Sequence, residues 1–250
     1  MTEPTTTDDR STGAAPIADD DEEPGRLQRW FGPLTWARVL VLVLALAFLG
    51  GAVGYLIGHR SDRDPLSSTD VGFMQDMSAH HEQAVQMSIL LLGKDGIDPD
   101  LQSYAMEIII GQRYEMGLMN ATLDRFGHAT TQGPTAMAWM DEPVPAADMP
   151  GLASDGQMTE LREAEGEEAE ALWIALMSEH HLGGIHMADF EARHGQDQTT
   201  RNIAKQMVNT QRGEVMDLAR TRERLGLPIP DGFSDPTKAP DMTPLSATGD

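Results

Sequence analysis

The chain has 250 residues, and its 40% hydrophobic content is enough for one folded domain of ordinary size with flanking segments. It contains 16 methionines and no cysteine, which excludes the thiolate sites that zinc and iron–sulfur clusters prefer and leaves thioether sulfur abundant. The formal net charge of −22 argues against nucleic-acid binding, which needs clustered lysine and arginine, so we expect no nucleic-acid partner.

The N-terminal part of the chain changes from acidic to strongly apolar. Residues 1–33 are predicted to form a disordered acidic tail followed by a juxtamembrane segment. The stretch from Val39 to Ile57 carries no charge and is long enough to cross a hydrocarbon layer of roughly 30 Å. We therefore predict a transmembrane helix over residues 34–58. A cleaved signal peptide is the alternative, but the apolar run is longer than its usual core and no clear cleavage site follows.

Arginines flank the predicted membrane span unequally. Arg26, Arg29 and Arg38 precede its uncharged stretch, whereas Arg60 and Arg63 follow that stretch. Positive charge favours the cytoplasmic side, and the remaining sequence contains no second apolar stretch of this length. The pattern predicts a single-pass protein of the cell membrane with a cytoplasmic N-terminus and its main domain outside the cytoplasm.

Small residues recur at every fourth position within the span, at Gly50, Gly54 and Gly58. This spacing lets two membrane helices approach closely, so a homodimer through these glycines is one interpretation. The other is that glycine is simply common in membrane helices.

Two similar stretches, Phe73–Met87 and Trp173–Met187, lie one hundred residues apart and each contains an adjacent histidine pair. At about 100° of rotation per residue, the histidines and the flanking methionines fall on one helical face in each stretch. The first face contains Met77, His80, His81 and Met87, and the second contains Met177, His180, His181 and Met187. We interpret the two stretches as copies of one duplicated unit.

A second helix is predicted after each copy, so that the repeats extend over about residues 70–127 and 160–226. Asp98 and Pro99 have the residue types of an N-cap and a first helical position. The third long helix is predicted to run from about Glu160 to Arg193. The fourth is predicted to end near Leu225.

Two such hairpins bury their apolar faces most economically against each other, which predicts an all-α, ferritin-like four-helix bundle over residues 65–228, preceded by the transmembrane helix. The crossover between the hairpins, about residues 128–157, is rich in proline and glycine and is predicted to have little regular structure. Residues 229–250 are predicted to be a disordered tail.

The inward face of the second helix in each repeat also contains polar residues, Gln112 and Glu115 in one copy and Gln211 and Glu214 in the other. Imidazole and thioether groups without thiolate suit copper, particularly Cu(I), or silver better than zinc, magnesium or calcium. The candidate metal-site residues are therefore Met77, His80, His81, Met87, Glu115, Met119, Met177, His180, His181, Met187 and Glu214.

Two other interpretations of the polar face remain open. A structural or signalling bundle without metal would use the histidines, glutamates and glutamines in a hydrogen-bonded polar core, with methionine filling the gaps. A di-iron carboxylate oxidase would need two Glu-x-x-His motifs, and the sequence has only Glu191-Ala-Arg-His194. The inward carboxylates are too few for that centre, so we expect a protein that is not an enzyme.

Four motifs occur in a fixed order along the chain: Met77-x-x-His80-His81, Gln112-x-x-Glu115-x-x-x-Met119, Asp148-Met-Pro-Gly151 and Met177-x-x-His180-His181. Over about residues 65–227 they resemble the domain of unknown function 305 family. The resemblance implies a ferritin-like four-helix fold outside the cytoplasm. A cyanobacterial copper-binding protein belongs to that family, so it also implies copper or silver binding. The chain has Gly183-Gly184 where the family pattern usually has Gly-Ala.

Residues and resemblance together predict a membrane-anchored extracytoplasmic protein that binds or sequesters copper or silver through histidine and methionine side chains.

Overall fold

A computed structural model describes residues 35–61, 66–131 and 133–242, with only the backbone described for residues 57–61. The chain divides into two units, residues 1–63 and residues 64–250. The predictions of an acidic N-terminal tail and of disorder after residue 242 lie outside the described residues.

The described part of the first unit, residues 35–61, forms helix α1 (Trp36–Ser61). Its segment Trp36–Leu56 is long and apolar enough to cross a membrane, and none of its hydrophobic window is buried within the structure. A signal sequence near an N-terminus has the same properties, so the helix itself is what the structure establishes. Nothing lies within 4 Å of an added Cβ atom at Gly50 or Gly54, so no contact within this chain requires glycine at these positions. The homodimer through these glycines stays a prediction.

The second unit is a bundle of four long helices, as predicted. They are α2 (Ser68–Leu92), α3 (Pro99–Phe126), α5 (Gly166–His194) and α6 (Gln198–Leu225). A short helix, α4 (Asp155–Glu163), precedes α5. Helices α2 and α3 form one hairpin, and α5 and α6 form the other. The hairpins pack chiefly through α2 and α5, whereas α3 and α6 approach each other less closely.

Local side chains fix the helix boundaries. Asp98 is the N-cap of α3, accepting a hydrogen bond from the Asp100 amide, and Pro99 occupies the first helical position as predicted. Helices α3 and α6 both end at glycines in the left-handed conformation, Gly127 and Gly226. Helix α3 therefore begins, and α3 and α6 end, where the sequence provides the capping residues.

The prediction of one continuous helix from Glu160 to Arg193 is wrong. Helix α4 ends at Glu163, Ala164 is extended, and α5 begins at Gly166, whose φ is +54°. The buried Lys94 ammonium stabilises the break by donating hydrogen bonds to the carbonyl oxygens of Arg162 and Ala164 at 3.0 and 2.5 Å. A long-range cap thus replaces the helical hydrogen bonds at this point.

The crossover contains little regular structure, in agreement with the sequence. Strands β1 (Thr135–Ala136) and β2 (Val144–Pro145) pair in antiparallel fashion, and two short 3₁₀ turns accompany them. The crossover is anchored to α2 by the carboxylate of Asp76, which accepts hydrogen bonds from the Met137 amide and the Trp139 indole at 2.7 and 2.8 Å. The crossover is thereby a packed part of the bundle.

The prediction that residues 229–250 are disordered is corrected for residues 229–242. This segment packs along α5 and α6, with Pro236 buried, and the Arg212 side chain donates to the carbonyl oxygen of Asp241 at 2.8 Å. Proline-rich composition suggested disorder, but proline and a few apolar side chains are sufficient to fill a groove that the helices already provide.

The buried apolar side chains form two clusters. The first contains Met77, Met119 and Met187, and the second contains Met87, Met177 and Leu218. Because Met77 shares a cluster with Met187 and Met87 shares one with Met177, α2 and α5 cross in antiparallel directions. The two histidine pairs lie between the clusters along both helices. We call the first cluster the Met119 end and the second the Leu218 end.

Candidate metal site

The centre of the bundle is a stacked pair of imidazole rings, one from each hairpin. The rings of His80 and His180 have centroids 3.8 Å apart and an interplanar angle of 30°. The Nε2–H of His180 donates to the backbone carbonyl of His80 at 2.8 Å, and the Nε2–H of His80 donates to the carbonyl of Pro150 at 3.1 Å. Both side chains are fully buried.

The second histidine of each pair makes the same contact in both hairpins. His81 donates from Nε2 to the Glu115 carboxylate at 2.8 Å, and His181 donates from Nε2 to the Glu214 carboxylate at 2.7 Å. Both imidazoles are fully buried, whereas the two carboxylates are partly exposed. The two hairpins therefore have the same geometry at these positions, and each glutamate accepts a hydrogen bond from the Nε2 atom of its histidine.

These contacts leave the other nitrogen of every ring without a partner. The Nδ1 atoms of all four buried histidines have no hydrogen-bond partner within the structure. A neutral imidazole that donates from Nε2 presents a lone pair at Nδ1. A buried acceptor left unpaired costs about 1 to 3 kcal/mol, so four in one layer call for a physical reason.

Burial keeps the central rings uncharged. Desolvation, with the neighbouring His81 ring as the next cause, lowers the pKa of His80 to about 3. Desolvation and then the His80 and His181 rings lower the pKa of His180 well below its ordinary value. Neutral imidazole is the form that binds a metal ion, so these two rings need not lose a proton to do so at neutral pH.

Methionine side chains surround the layer on both sides, and all five predicted to be ligands are buried. Eight buried methionines belong to the Met119 end and two to the Leu218 end. The eight are Met74, Met77, Met119, Met137, Met140, Met149, Met187 and Met207. The two are Met87 and Met177. Thioether sulfur is therefore present in both clusters that flank the imidazole layer but is concentrated in one.

The two inward glutamines are also buried at matching positions. The side-chain oxygens of Gln112 and Gln211 have no hydrogen-bond partner. Gln211 lies directly on Gly184, where an added Cβ would come within 2.4 Å of the glutamine oxygen. An alanine at position 184 would therefore have to displace the end of the Gln211 side chain.

The donor set fits a soft metal ion better than a hard one. Among the described residues, no group of three or more histidines, aspartates or glutamates is placed to hold a metal ion. Glu115 and Glu214 bind imidazole Nε2 atoms, so the structure gives them an orienting contact, and their direct ligation stays a prediction. The donor types that remain in this part of the core are imidazole nitrogen and thioether sulfur, and both suit Cu(I) or Ag(I) better than a hard ion.

The structure adds two features that sequence reasoning missed. One is the Pro150 carbonyl at His80, which the Asp148-Met-Pro-Gly151 motif signalled without indicating its target. The other is a buried carboxyl pair, Glu191 with Asp70, at the Met119 end of the bundle. Burial and then the Asp70 carboxylate raise the pKa of Glu191 to about 9. Glu191 belongs to the one Glu-x-x-His motif, and the structure places it away from the histidine layer.

Fold and site together define a class: an all-α four-helix bundle whose core contains a layer of neutral histidines between methionine-rich clusters. The family model described as a domain of unknown function, DUF305, matches residues 70–222. The chain belongs to this family, which confirms the resemblance found in the sequence.

Solved structures of the same family are similar to this chain. A DUF305 protein from Streptomyces coelicolor is 33% identical, with a TM-score of 0.59, and the match covers 64% of this chain and 94% of that chain. A DUF305 fragment from Deinococcus radiodurans is 28% identical, with a TM-score of 0.55, and the match covers 64% of this chain and 99% of that chain.

A more distant similarity is to CopM in its Cu(I)-bound form, at 23% identity and a TM-score of 0.48, covering 64% of this chain and 99% of that chain. At this low identity, the bound copper is a property of CopM and is not transferred to this chain. The comparison with curated proteins found no match.

Proposed function

We propose that this protein is a membrane-anchored, extracytoplasmic binder of Cu(I) or Ag(I), which buffers or sequesters the ion through the histidine and methionine side chains of its bundle core. The observation that carries the proposal is the set of four buried Nδ1 lone pairs without partners, between two clusters of buried thioethers. Metal ligation gives these lone pairs the partner that the protein does not provide.

The contacts at Nε2 support the same conclusion. A metal-binding histidine usually donates its other ring proton to a carboxylate or a backbone carbonyl, which fixes the ring and strengthens the ligand. All four histidines here do so, two through Glu115 and Glu214 and two through backbone carbonyls. A bound ion would lie in neutral, low-dielectric surroundings in which nitrogen and sulfur compete with little water.

A polar core without metal remains the competing function, favoured by the hydrogen bond that every one of these rings already makes. The two differ in what they require of Nδ1. A structural layer would be expected to pair both ring nitrogens, because hydrogen-bond partners are what make a buried polar group tolerable. We therefore favour metal binding.

The test is Ag(I) and Cu(I) binding by the full chain in detergent, measured by competition with a chelator of known affinity. Wild type should retain the ion after desalting. The His80→Ala, His81→Ala, His180→Ala, His181→Ala variant should lose it, while a variant altered at the exposed residues Met106 and Met216 to leucine should retain it. Equal affinity in wild type and the histidine variant would place the site elsewhere.

Anchoring through α1 is proposed from its length and apolar composition. The full chain should stay with the membrane fraction after alkaline extraction. A reporter enzyme that is active only in the cytoplasm, fused after Asp250, should be inactive. Release of the chain by alkali would indicate a cleaved signal sequence, and an active reporter would reverse the proposed orientation.

A further inference from the structure

The crossover reaches the histidine layer at Pro150, and this contact makes the two central rings unequal. A two-fold arrangement would have each central ring donate to the backbone carbonyl of the other histidine. His180 does donate to the carbonyl of His80, at 2.8 Å, but His80 donates to the Pro150 carbonyl, at 3.1 Å. His80 is thus held by a segment outside the four long helices.

Glycines allow the crossover backbone to lie directly against α5. An added Cβ at Gly183 would lie 2.0 Å from the Pro150 oxygen. One at Gly151, whose φ is +83°, would lie 2.5 Å from the carbonyl oxygen of Glu179 and 3.0 Å from that of His180. No residue with a Cβ tolerates such distances without a shift of the backbone. The crossover therefore occupies the place beside the His180 carbonyl where the His80 ring would otherwise bond.

A side chain of α2 fastens the same segment from the other side. The Gln83 amide donates to the Ala153 carbonyl at 2.8 Å, and its oxygen accepts from the Ala153 amide at 2.7 Å. Gln83 lies one turn beyond His80 on the same helix, so the ring and its acceptor are tied to one rigid element.

We infer that residues 149–153 of the crossover are the positioning element of the metal site: the Pro150 carbonyl, seated on Gly183 and fastened by Gln83, fixes the His80 ring and turns its Nδ1 lone pair into the core. The role of that lone pair rests on the function proposed above. A ligand held in this way loses no freedom when the ion binds. Loosening the crossover should then weaken metal binding although every ligand is still present.

The experiment uses the full chain in detergent with ¹⁵N-labelled histidine, and measures solvent exchange of the ring Nε2 proton. Gly183→Ala displaces the Pro150 carbonyl, and the milder Gln83→Glu removes the amide donor to Ala153. Either change should accelerate exchange at His80 about tenfold, the value of one hydrogen bond. Exchange at His181 should not change, because its partner is Glu214.

Matched controls separate this effect from general loosening. Gln86→Glu changes an exposed glutamine on the same helix, and Gly117→Ala adds a methyl group where nothing lies within 4 Å. Neither should alter His80 exchange. In the metal-bound state, Gln83→Glu should weaken Ag(I) affinity by about tenfold, the lower range for groups that orient a ligand.

The outcomes distinguish this inference from the function on which it rests. Unchanged His80 exchange in folded Gln83→Glu and Gly183→Ala overturns the inference. Equal acceleration at His80 and His181 also overturns it, because the effect would then be general loosening. Wild type that binds no Ag(I) overturns the proposed function and leaves the exchange result to stand alone.

Discussion

Met119 and Leu218 occupy matching positions in the two hairpins, ninety-nine residues apart, and they belong to opposite ends of the core. The Met119 end contains eight buried methionines and the Leu218 end two. The layer between them is nearly symmetric, with the same histidine–glutamate contact in both hairpins. Both hairpins thus contribute equally to the imidazole layer, whereas the number of buried thioethers differs between its two ends. A soft ion should therefore prefer the Met119 end.

The largest expected effect comes from removing thioethers at one end. Met77→Leu with Met187→Leu should weaken Ag(I) binding by at least about 100-fold, because ligating groups contribute more than the 10- to 100-fold of the groups that orient them. Met87→Leu with Met177→Leu should weaken it by about tenfold. Chelator competition gives both values. Methionine-to-leucine changes nearly conserve volume, so each variant should lose less than about 1.5 kcal/mol of stability per site.

Equal losses of affinity from the two methionine pairs would contradict the preference for the Met119 end. The reverse substitution tests the same preference, because Leu218→Met adds a third candidate thioether at the Leu218 end. If sulfur supply sets the preference, this variant should strengthen Ag(I) binding in the background that lacks Met77 and Met187. No gain in that background would mean that Leu218 does not face the site.

The histidine–glutamate contacts should contribute equally in the two hairpins. Glu115→Leu leaves the buried Nε2–H of His81 without an acceptor and should lower the free energy of unfolding of the metal-free chain by about 1 to 3 kcal/mol. Glu214→Leu should do the same to His181. Urea unfolding followed by circular dichroism measures both losses.

Glu115→Gln is the matched control, because the amide oxygen still accepts a hydrogen bond. It should retain most of the stability that Glu115→Leu loses. A loss of stability confined to one hairpin would show that the two histidine–glutamate contacts contribute unequally to stability despite their matching geometry.

The two ends also differ in their response to pH. Glu191 at the Met119 end corresponds to Leu91 at the Leu218 end. In the folded chain, Glu191 keeps its proton up to about pH 9, whereas its ordinary pKa is 4.5. The folded state therefore binds more protons in this window, and the free energy of unfolding falls as pH rises from 4.5 towards 9.

His80 opposes this trend at lower pH. Its pKa is about 3 in the folded chain and ordinarily 6.5, so the free energy of unfolding rises as pH rises from 3 to 6.5. Between pH 4.5 and 6.5 these two effects oppose each other, and His180, whose pKa is also lowered by burial, adds to the rise. Stability of the metal-free chain should therefore peak near pH 6.5 and then fall by about 1 to 2 kcal/mol by pH 8. Glu191→Gln should remove the fall above pH 6.5 and steepen the rise between pH 4.5 and 6.5, because the opposing carboxyl group is gone. A variant that declines as steeply as wild type in urea unfolding would contradict this assignment.

Much of the bundle could be predicted from the sequence because it depends on local signals. The helical spacing of the motifs, the Asp98-Pro99 cap and the similarity of the two histidine-containing stretches predicted four long helices and the inward face of the candidate ligands. The break before Gly166 could not be predicted, because Lys94 stabilises it from seventy residues away. The packing of residues 229–242 likewise depends on a groove that exists only after α5 and α6 have paired.

The candidate site was predictable in its residue types but not in its atoms. Helical periodicity placed Glu115 and Glu214 near the histidines without indicating which ring nitrogen each would bind. The role of Pro150 depends on a backbone carbonyl, and a carbonyl has no signature in a sequence. The difference between the two ends is visible as Met119 against Leu218 once the repeats are aligned, but its meaning requires knowing which methionines share a cluster.

Binding of a soft metal ion by the buried Nδ1 lone pairs can be observed directly by ¹⁵N spectroscopy of the histidine-labelled full chain with and without one equivalent of Ag(I). Nδ1 resonances from among His80, His81, His180 and His181 should shift when Ag(I) binds. The Nε2 protons of these rings should stay in place. Shifts confined to the more exposed rings of His128, His186 and His194, or no shift at any histidine, would show that the buried Nδ1 atoms do not bind Ag(I).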